Sequence, residues 1–227
     1  VFIYPGVYDE LVPLTVPVGV TVMGVGLRSV TIRPDTASTD QDVFLLNGES
    51  TVEDITISGF QYNSGTNTGH AFRFASNMTV TTRSPYIRNV SVITSGTVTS
   101  ATDPRGYLTG DAGRGAYIDG SVVNAASKEA SMLFHSVTFI CPGIDAITMT
   151  NGVRVEWLNS FTYFADKGMY LYSGSTGFAG QGKTEVRVTG NTGTFAVGRP
   201  DIATQVKKRK LEEIEKGIQR IGIDQPE

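Results

Sequence analysis

Ser136-Val137-Thr138-Phe139 reads polar, apolar, polar, apolar, and versions of it recur from near one end of the chain to the other. The others are Ser29-Val30-Thr31-Ile32, Asp54-Ile55-Thr56-Ile57, Asn89-Val90-Ser91-Val92, Ser160-Phe161-Thr162-Tyr163 and Glu185-Val186-Arg187-Val188. Period-two alternation marks a strand with one buried face. The first residues of the six copies lie 25, 35, 47, 24 and 25 positions apart, so the basic period is near 24 and two intervals carry extra residues. Repeats of this length belong to solenoids. One copy per coil predicts that the apolar pairs, from Val30/Ile32 to Val186/Val188, stack into a continuous core. Thr31, Thr56, Ser91, Thr138, Thr162 and Arg187 then form an outer row. Parallel pairing of successive copies gives each backbone group of the strand a partner.

With 227 residues the chain is long enough for a large core. Charged residues make up only 18%, and glycine is abundant, which suits a β-rich chain with many tight turns. A net charge of −3 gives no electrostatic reason to expect nucleic acid. The single cysteine, Cys141, excludes an intrachain disulfide framework and argues against a cysteine-based metal site. Following Phe139-Ile140, it reads as a small core or turn residue. No metal and no cofactor are expected. No apolar run approaches the roughly 20 residues that span a bilayer, so membrane insertion is not expected either. Without an initiator Met or a leader pattern, Val1 reads as a cut inside a longer protein, and no targeting signal is legible.

Residues 1–34 predict one coil: a strand, a Pro5-Gly6 turn, a second strand, Pro17 and Gly19 as punctuation, and a third strand before Gly24 and Gly26. The pattern Tyr4-Pro5-Gly6-x-Tyr8-x-Glu10, followed by Val18-Gly19-Val20-Thr21-Val22-x-Gly24-x-Gly26, resembles the opening coil of pectin-lyase-like right-handed parallel β-helices. That resemblance covers about residues 1–198 and implies an all-β, single-stranded solenoid of six or seven coils. It implies little about chemistry, because lyases, esterases, glycosidases, phage tailspikes and inert fibres share the coil.

A second ladder is legible in Val43-Phe44-Leu45-Leu46, Ala71-Phe72-Arg73-Phe74, Ala116-Tyr117-Ile118-Asp119, Ala146-Ile147-Thr148-Met149 and Met169-Tyr170-Leu171-Tyr172. The irregular spacings place insertions at Phe60 to Gly69, before Tyr86, and at Thr94 to Gly113, and long loops on a regular scaffold are where function usually sits. After Gly198 the composition changes: Lys207, Lys208, Lys210 and Lys216 fall within ten positions. Leu211, Ile214, Ile218 and Ile221 follow helical spacing, and Asp201 can cap the start. Residues 199–227 therefore read as an amphipathic helical tail that either covers a solenoid end or joins copies of the chain. Glu212, Glu213 and Glu215 offset the basic run, which reads as a solvated face.

Polysaccharide cleavage needs two acids across a glycosidic bond, or a base beside a neutralised uronate. The acids on or near the rungs are Asp54, Asp119, Asp145, Glu156 and Asp166. Asp145 and Asp166 lie about one coil apart and are the catalytic candidates, although an Asp in a turn before a strand ordinarily bonds backbone amides. Gly69-His70-Ala71 lacks the second glycine of the polygalacturonase Gly-His-Gly segment, and His135 reads as structural. Gly180-Gln181-Gly182-Lys183-Thr184 and Gly24-Val25-Gly26 lack the spacing and context of phosphate or dinucleotide loops. Glycan binding without cleavage would use Arg73, Tyr117, Asp119, Tyr170 and Tyr172, which hold equivalent first-strand positions, although half should point inward. In texture and rung type the chain resembles the β-helical regions of structural proteins of tailed phages, notably those of marine cyanobacteria. The expectation is a virion structural or adhesion module of a tail fibre, baseplate or spike, trimeric and in contact with other virion proteins. The alternatives are a polysaccharide depolymerase, or a module that binds host surface polysaccharide without cutting it.

Overall fold

A computed structural model describes residues 1–75, 78–95, 112–120, 131–141, 145–151, 153–163, 165, 167–172 and 185–189. The first coil runs through β1 (Phe2–Ile3), β2 (Gly6–Glu10) and β3 (Leu14–Val16), and the second through β4 (Thr21–Gly24), β5 (Val30–Pro34) and β6 (Phe44–Leu46). The third holds β7 (Thr51–Glu53), β8 (Thr56–Ser58) and β9 (His70–Phe74); the fourth β10 (Tyr86–Arg88), β11 (Ser91–Ile93) and β12 (Arg114–Asp119). The fifth holds β13 (Ser131–His135), β14 (Thr138–Ile140) and β15 (Asp145–Thr150); the sixth β16 (Arg154–Leu158), β17 (Phe161–Tyr163) and β18 (Lys167–Tyr172). Strand β19 (Glu185–Thr189) begins a seventh. Each strand pairs in parallel with the third strand before and after it, giving a seven-stranded sheet A from β1, a six-stranded sheet B from β2 and a six-stranded sheet C from β3. This is a parallel β-helix, in which the coil itself supplies the crossover that parallel strands require.

Four of the six sequence copies stack as expected. In sheet B, Thr31, Thr56, Ser91 and Thr138 form one row, and Ile32, Ile57, Val92 and Phe139 the next. The second row faces inward and is buried, as are Val30, Ile55, Val90 and Val137 just before it. The chain enters sheet B through residues with positive φ: Asp54 (58°), Asn89 (50°), Ser136 (55°) and Asn159 (45°). Asn and Asp tolerate this left-handed backbone better than most residues, and each such corner turns the chain by the same amount. The backbone N–H groups of Asn89 and Ser136 donate to His135 O (2.9 Å) and Leu158 O (3.0 Å) of the next coil. The Asn89 side-chain amide donates back to the Asp54 carboxylate.

The last two copies are corrected. Thr138 pairs with Phe161 and Phe139 with Thr162, so the fifth copy sits one residue out of the expected register. Thr162 takes the inward place, while Phe161 and Tyr163 lie on the outer face with their rings stacked at 6.1 Å. The corner residue Asn159 decides this, because it occupies the place of Ser136 and carries the positive φ. The sixth copy is not in sheet B: Val186 pairs with Val155 and Val188 with Trp157, in sheet A. Sheet A itself is a third ladder that the two legible ones do not include. Its inward residues, among them Val52, Ile87, Phe134 and Trp157, close the core, with Phe134, Phe139 and Trp157 packed at centroid distances of 5.3–5.8 Å. The amphipathic tail lies outside the described residues.

Phe139→Ala should cost about 3–5 kcal/mol, as for other buried aromatics, whereas Phe161→Ala should cost less than half as much. Urea unfolding of the two variants checks this, and equal losses would restore the uncorrected register.

Candidate functional site

The outer face of sheet C carries most of the polar side chains singled out from the sequence. Inward positions hold Phe44, Phe72, Ala116, Ile147 and Met169, and one step on Leu46, Phe74, Ile118 and Met149, all buried. Alternation then turns Arg73, Tyr117, Thr148 and Tyr170 outward in one row, with Asp119 and Thr150 in the next. Tyr172 pairs with Thr150 in that second row, but its side chain lies outside the described set. The expected inward half is corrected for Arg73, Tyr117, Asp119 and Tyr170: the inward places between them go to Ile118 and its apolar neighbours.

The Arg73 guanidinium is engaged on both sides. It bonds the Asp42 carboxylate and the carbonyl of Asn67, and its Cζ lies 4.6 Å from the centre of the Tyr117 ring. Asp119 accepts a hydrogen bond of 2.7 Å from the Asn151 amide. Of the catalytic candidates, Asp166 lies outside the described residues. Asp145 pairs in register with Lys167 and accepts its ammonium proton at 2.8 Å. Arg114 Nη1 lies 3.8 Å from the other Asp145 oxygen. A carboxylate held between two cations is placed to anchor neighbouring coils. Lys167 also sits 4.7 Å from the centre of the Tyr170 ring.

Sequence reasoning did not find the pair at the head of this face, Asp42 and His70. Asp42 immediately precedes Val43 and His70 immediately precedes Ala71, so successive coils bring them together at the start of sheet C. Asp42 Oδ1 accepts from the His70 backbone N–H at 3.0 Å and from Nδ1 at 2.9 Å. Burial works to raise the Asp42 carboxyl, but the His70 bond and the charges around it outweigh burial and hold it below its usual value. Burial also pushes His70 below the usual histidine range, against the pull of Asp42, and the positive charges of Arg73 and Arg114 add to the effect.

Segment 60–69 closes over the pair. Phe60 is buried, the Tyr62 ring meets the His70 ring edge-on at 5.7 Å, and Arg114 Cζ lies 3.7 Å from the centre of the Tyr62 ring. The segment returns to the sheet at Gly69 (φ 93°), where a Cβ would lie 2.0 Å from Gln61 O, so only glycine fits.

The remaining candidates are structural. His135 Nδ1 is hydrogen-bonded to Tyr86 Oη at 3.0 Å with the rings stacked. Burial pushes the Cys141 thiol up to about 12, too high for a nucleophile at neutral pH. Asp54 is a corner residue, and Glu156 bonds Arg154 at 3.0 Å. No group of three or more His, Cys, Asp or Glu side chains able to hold a metal ion occurs among the described residues.

Asp42→Ala leaves the partly buried Arg73 guanidinium and the buried His70 ring without their carboxylate, and should cost about 3 kcal/mol. Asp9→Ala removes the partner of Arg33 in an exposed pair and should leave the transition nearly unchanged. Denaturant midpoints for the two variants check the contrast. No family model, curated protein or solved structure matches the chain.

Proposed function

We propose that this chain is a rigid structural segment of a larger extracellular assembly, of the tail fibre, baseplate or spike kind found in virions, joined to its neighbours through its ends. The observation that carries the reading is the apolar surface and open strand edges of the first coil. Of the nine exposed large hydrophobic residues among the described set, six belong to that coil and its turns: Val1, Phe2, Tyr4, Val7, Leu11 and Val18. A cavity of about 390 Å³ opens there onto core side chains, among them Ile3, Leu14, Val16, Ile32 and Phe44. The outer edges of β1, β2 and β3 have no partner strand among the described residues. Edges and apolar surface of this kind favour addition of further β-structure or a cap. The pectin-lyase-like, right-handed character suggested by the Tyr4-Pro5-Gly6 coil belongs to this proposal, as do trimeric assembly and the joining role of residues 199–227.

A second reading, glycan binding without cleavage, is favoured by the alignment of Arg73, Tyr117 and Tyr170 in one outward row. Depolymerase chemistry at Asp145 is disfavoured by the two cations that already share its oxygens.

Phe2→Glu with Leu11→Glu should weaken self-association at least tenfold by light scattering, and removing residues 201–227 should change the oligomeric state. No reducing ends should appear from acidic or neutral polysaccharides. A chain that stays monomeric at all concentrations with its tail intact, or that turns over a polysaccharide, contradicts the assembly reading.

A further inference from the structure

Segment 60–69 is anchored at its start by the buried Phe60 and by a Gln61–Ala112 bridge, and beyond them it is tied to the turn at Thr39 and Asp40 and lies over one ionisable ring. At its tip Asn63 and Thr68 form an antiparallel bridge, with N–H···O distances of 3.0 and 3.3 Å. The Asn63 amide donates to Asp40 Oδ2 (2.9 Å), the Thr68 hydroxyl to Asp40 O (2.7 Å), and the Gln61 N–H to Thr39 O (2.7 Å). The Tyr62 hydroxyl donates to Asn67 Oδ1 at 3.1 Å, and Arg73 reaches the Asn67 carbonyl. Beneath lies His70, with no exposed surface, its ring between those of Tyr62 and Tyr117 at 5.7 and 5.4 Å.

The His70 ring has room for one charge state only. With Nδ1 directed at Asp42, the acceptor is used; Nε2 is buried with no hydrogen-bond partner. The single negative charge of Asp42 is already matched by Arg73. The next rung brings a second cation, Arg114, which lies 3.8 Å from an Asp145 carboxylate that Lys167 also holds. A proton on Nε2 would therefore add a positive charge to a buried cluster that has, among the described residues, no uncommitted carboxylate and no acceptor placed for the new N–H. Among the described residues, the charged and titratable groups that face the ring are Asp42 before β6, Arg73 on β9, Arg114 and Tyr117 on β12, and Tyr62 on the segment itself.

We propose that segment 60–69 is a pH-released strap, which protonation of His70 lifts from sheet C to uncover Arg73, Arg114 and Tyr117. The closed form binds His70 neutral, whereas an opened strap lets it titrate near the ordinary value of about 6.5. Above that pH both forms hold the same number of protons. Below it the open form takes up a proton that the closed form refuses, so the open-to-closed ratio rises by up to about tenfold per pH unit. The rise continues until the depressed value of the closed form is reached. Nothing in this step depends on the assembly role proposed above.

The test is hydrogen exchange on the full chain from pH 8 to pH 5, corrected for the intrinsic exchange rate. Amides of Gln61, Asn63, Thr68 and His70 should lose protection by up to about tenfold per unit below pH 6.5, while those of Thr56–Ser58 in β8 keep theirs. His70→Asn keeps a donor for Asp42 but cannot be protonated, and its strap protection should not change with pH. Should that variant not fold, NMR titration of the native chain serves, since His135 is the only other histidine. His70 should then remain neutral well below pH 6.5, until the open form of the strap predominates. Strap protection that is flat with pH, an unchanged slope in His70→Asn, equal losses in β8, or a His70 that titrates at its ordinary value with the strap closed would each overturn the proposal.

Discussion

Each coil of this protein is held by the burial of its inward side chains against the same positions one coil above and below. Ile32, Ile57, Val92 and Phe139 show the dependence most clearly, because no one of them has a complete hydrophobic environment without the next. A two-stranded piece of the stack would expose as much as it buries, so stability accumulates with coil number. Register is the accompanying constraint: a slip of one residue exchanges the buried and solvated faces of a whole strand. The chain sets register at its corners, where Asp54, Asn89, Ser136 and Asn159 adopt the left-handed backbone. The hydrogen bonds between successive corners then tie each turn to the one before it.

How much of this could be read without coordinates follows from the same two features. The solenoid was legible because the alternation around Ile57, Val92 and Phe139 is strong and repeats at a constant phase. Alternation alone does not set phase, however. Ser160-Phe161-Thr162-Tyr163 has the pattern of a strand that buries Phe161 and Tyr163, and only the preceding Asn159, in line with Asn89 and Ser136, marks the register that turns them outward. Glu185-Val186-Arg187-Val188 fits the same pattern equally well, yet belongs to sheet A. Sheet A was not legible as a ladder because its members, such as Thr51-Val52-Glu53 and Tyr86-Ile87-Arg88, share little beyond a single inward apolar residue. The Asp42–His70 contact spans 28 positions. It becomes deducible only once the coils are aligned, since nothing local to either residue marks the pair.

Function on such a scaffold belongs to what interrupts it. The regular faces of sheet B offer threonine and serine rows, whereas sheet C is crossed by segment 60–69 and carries two groups of ion pairs, Arg73 with Asp42, and Arg114 and Lys167 with Asp145. Stacking makes this possible cheaply: residues of opposite charge at the same position of successive coils, as Asp145 and Lys167 are, come within reach across the pair of strands.

The stacked register can be measured directly by pairs of spin labels on the outer row of sheet B, in a Cys141→Ser background. Label pairs at Thr31 and Thr138, Val7 and Thr138, and Val7 and Phe161 are separated by three, four and five strand spacings. Their distances should increase in even steps, to about 14, 19 and 24 Å before allowance for the label arms. Distances that instead follow the unequal numbers of intervening residues, or that show no narrow distribution, would contradict the stack on which everything else rests.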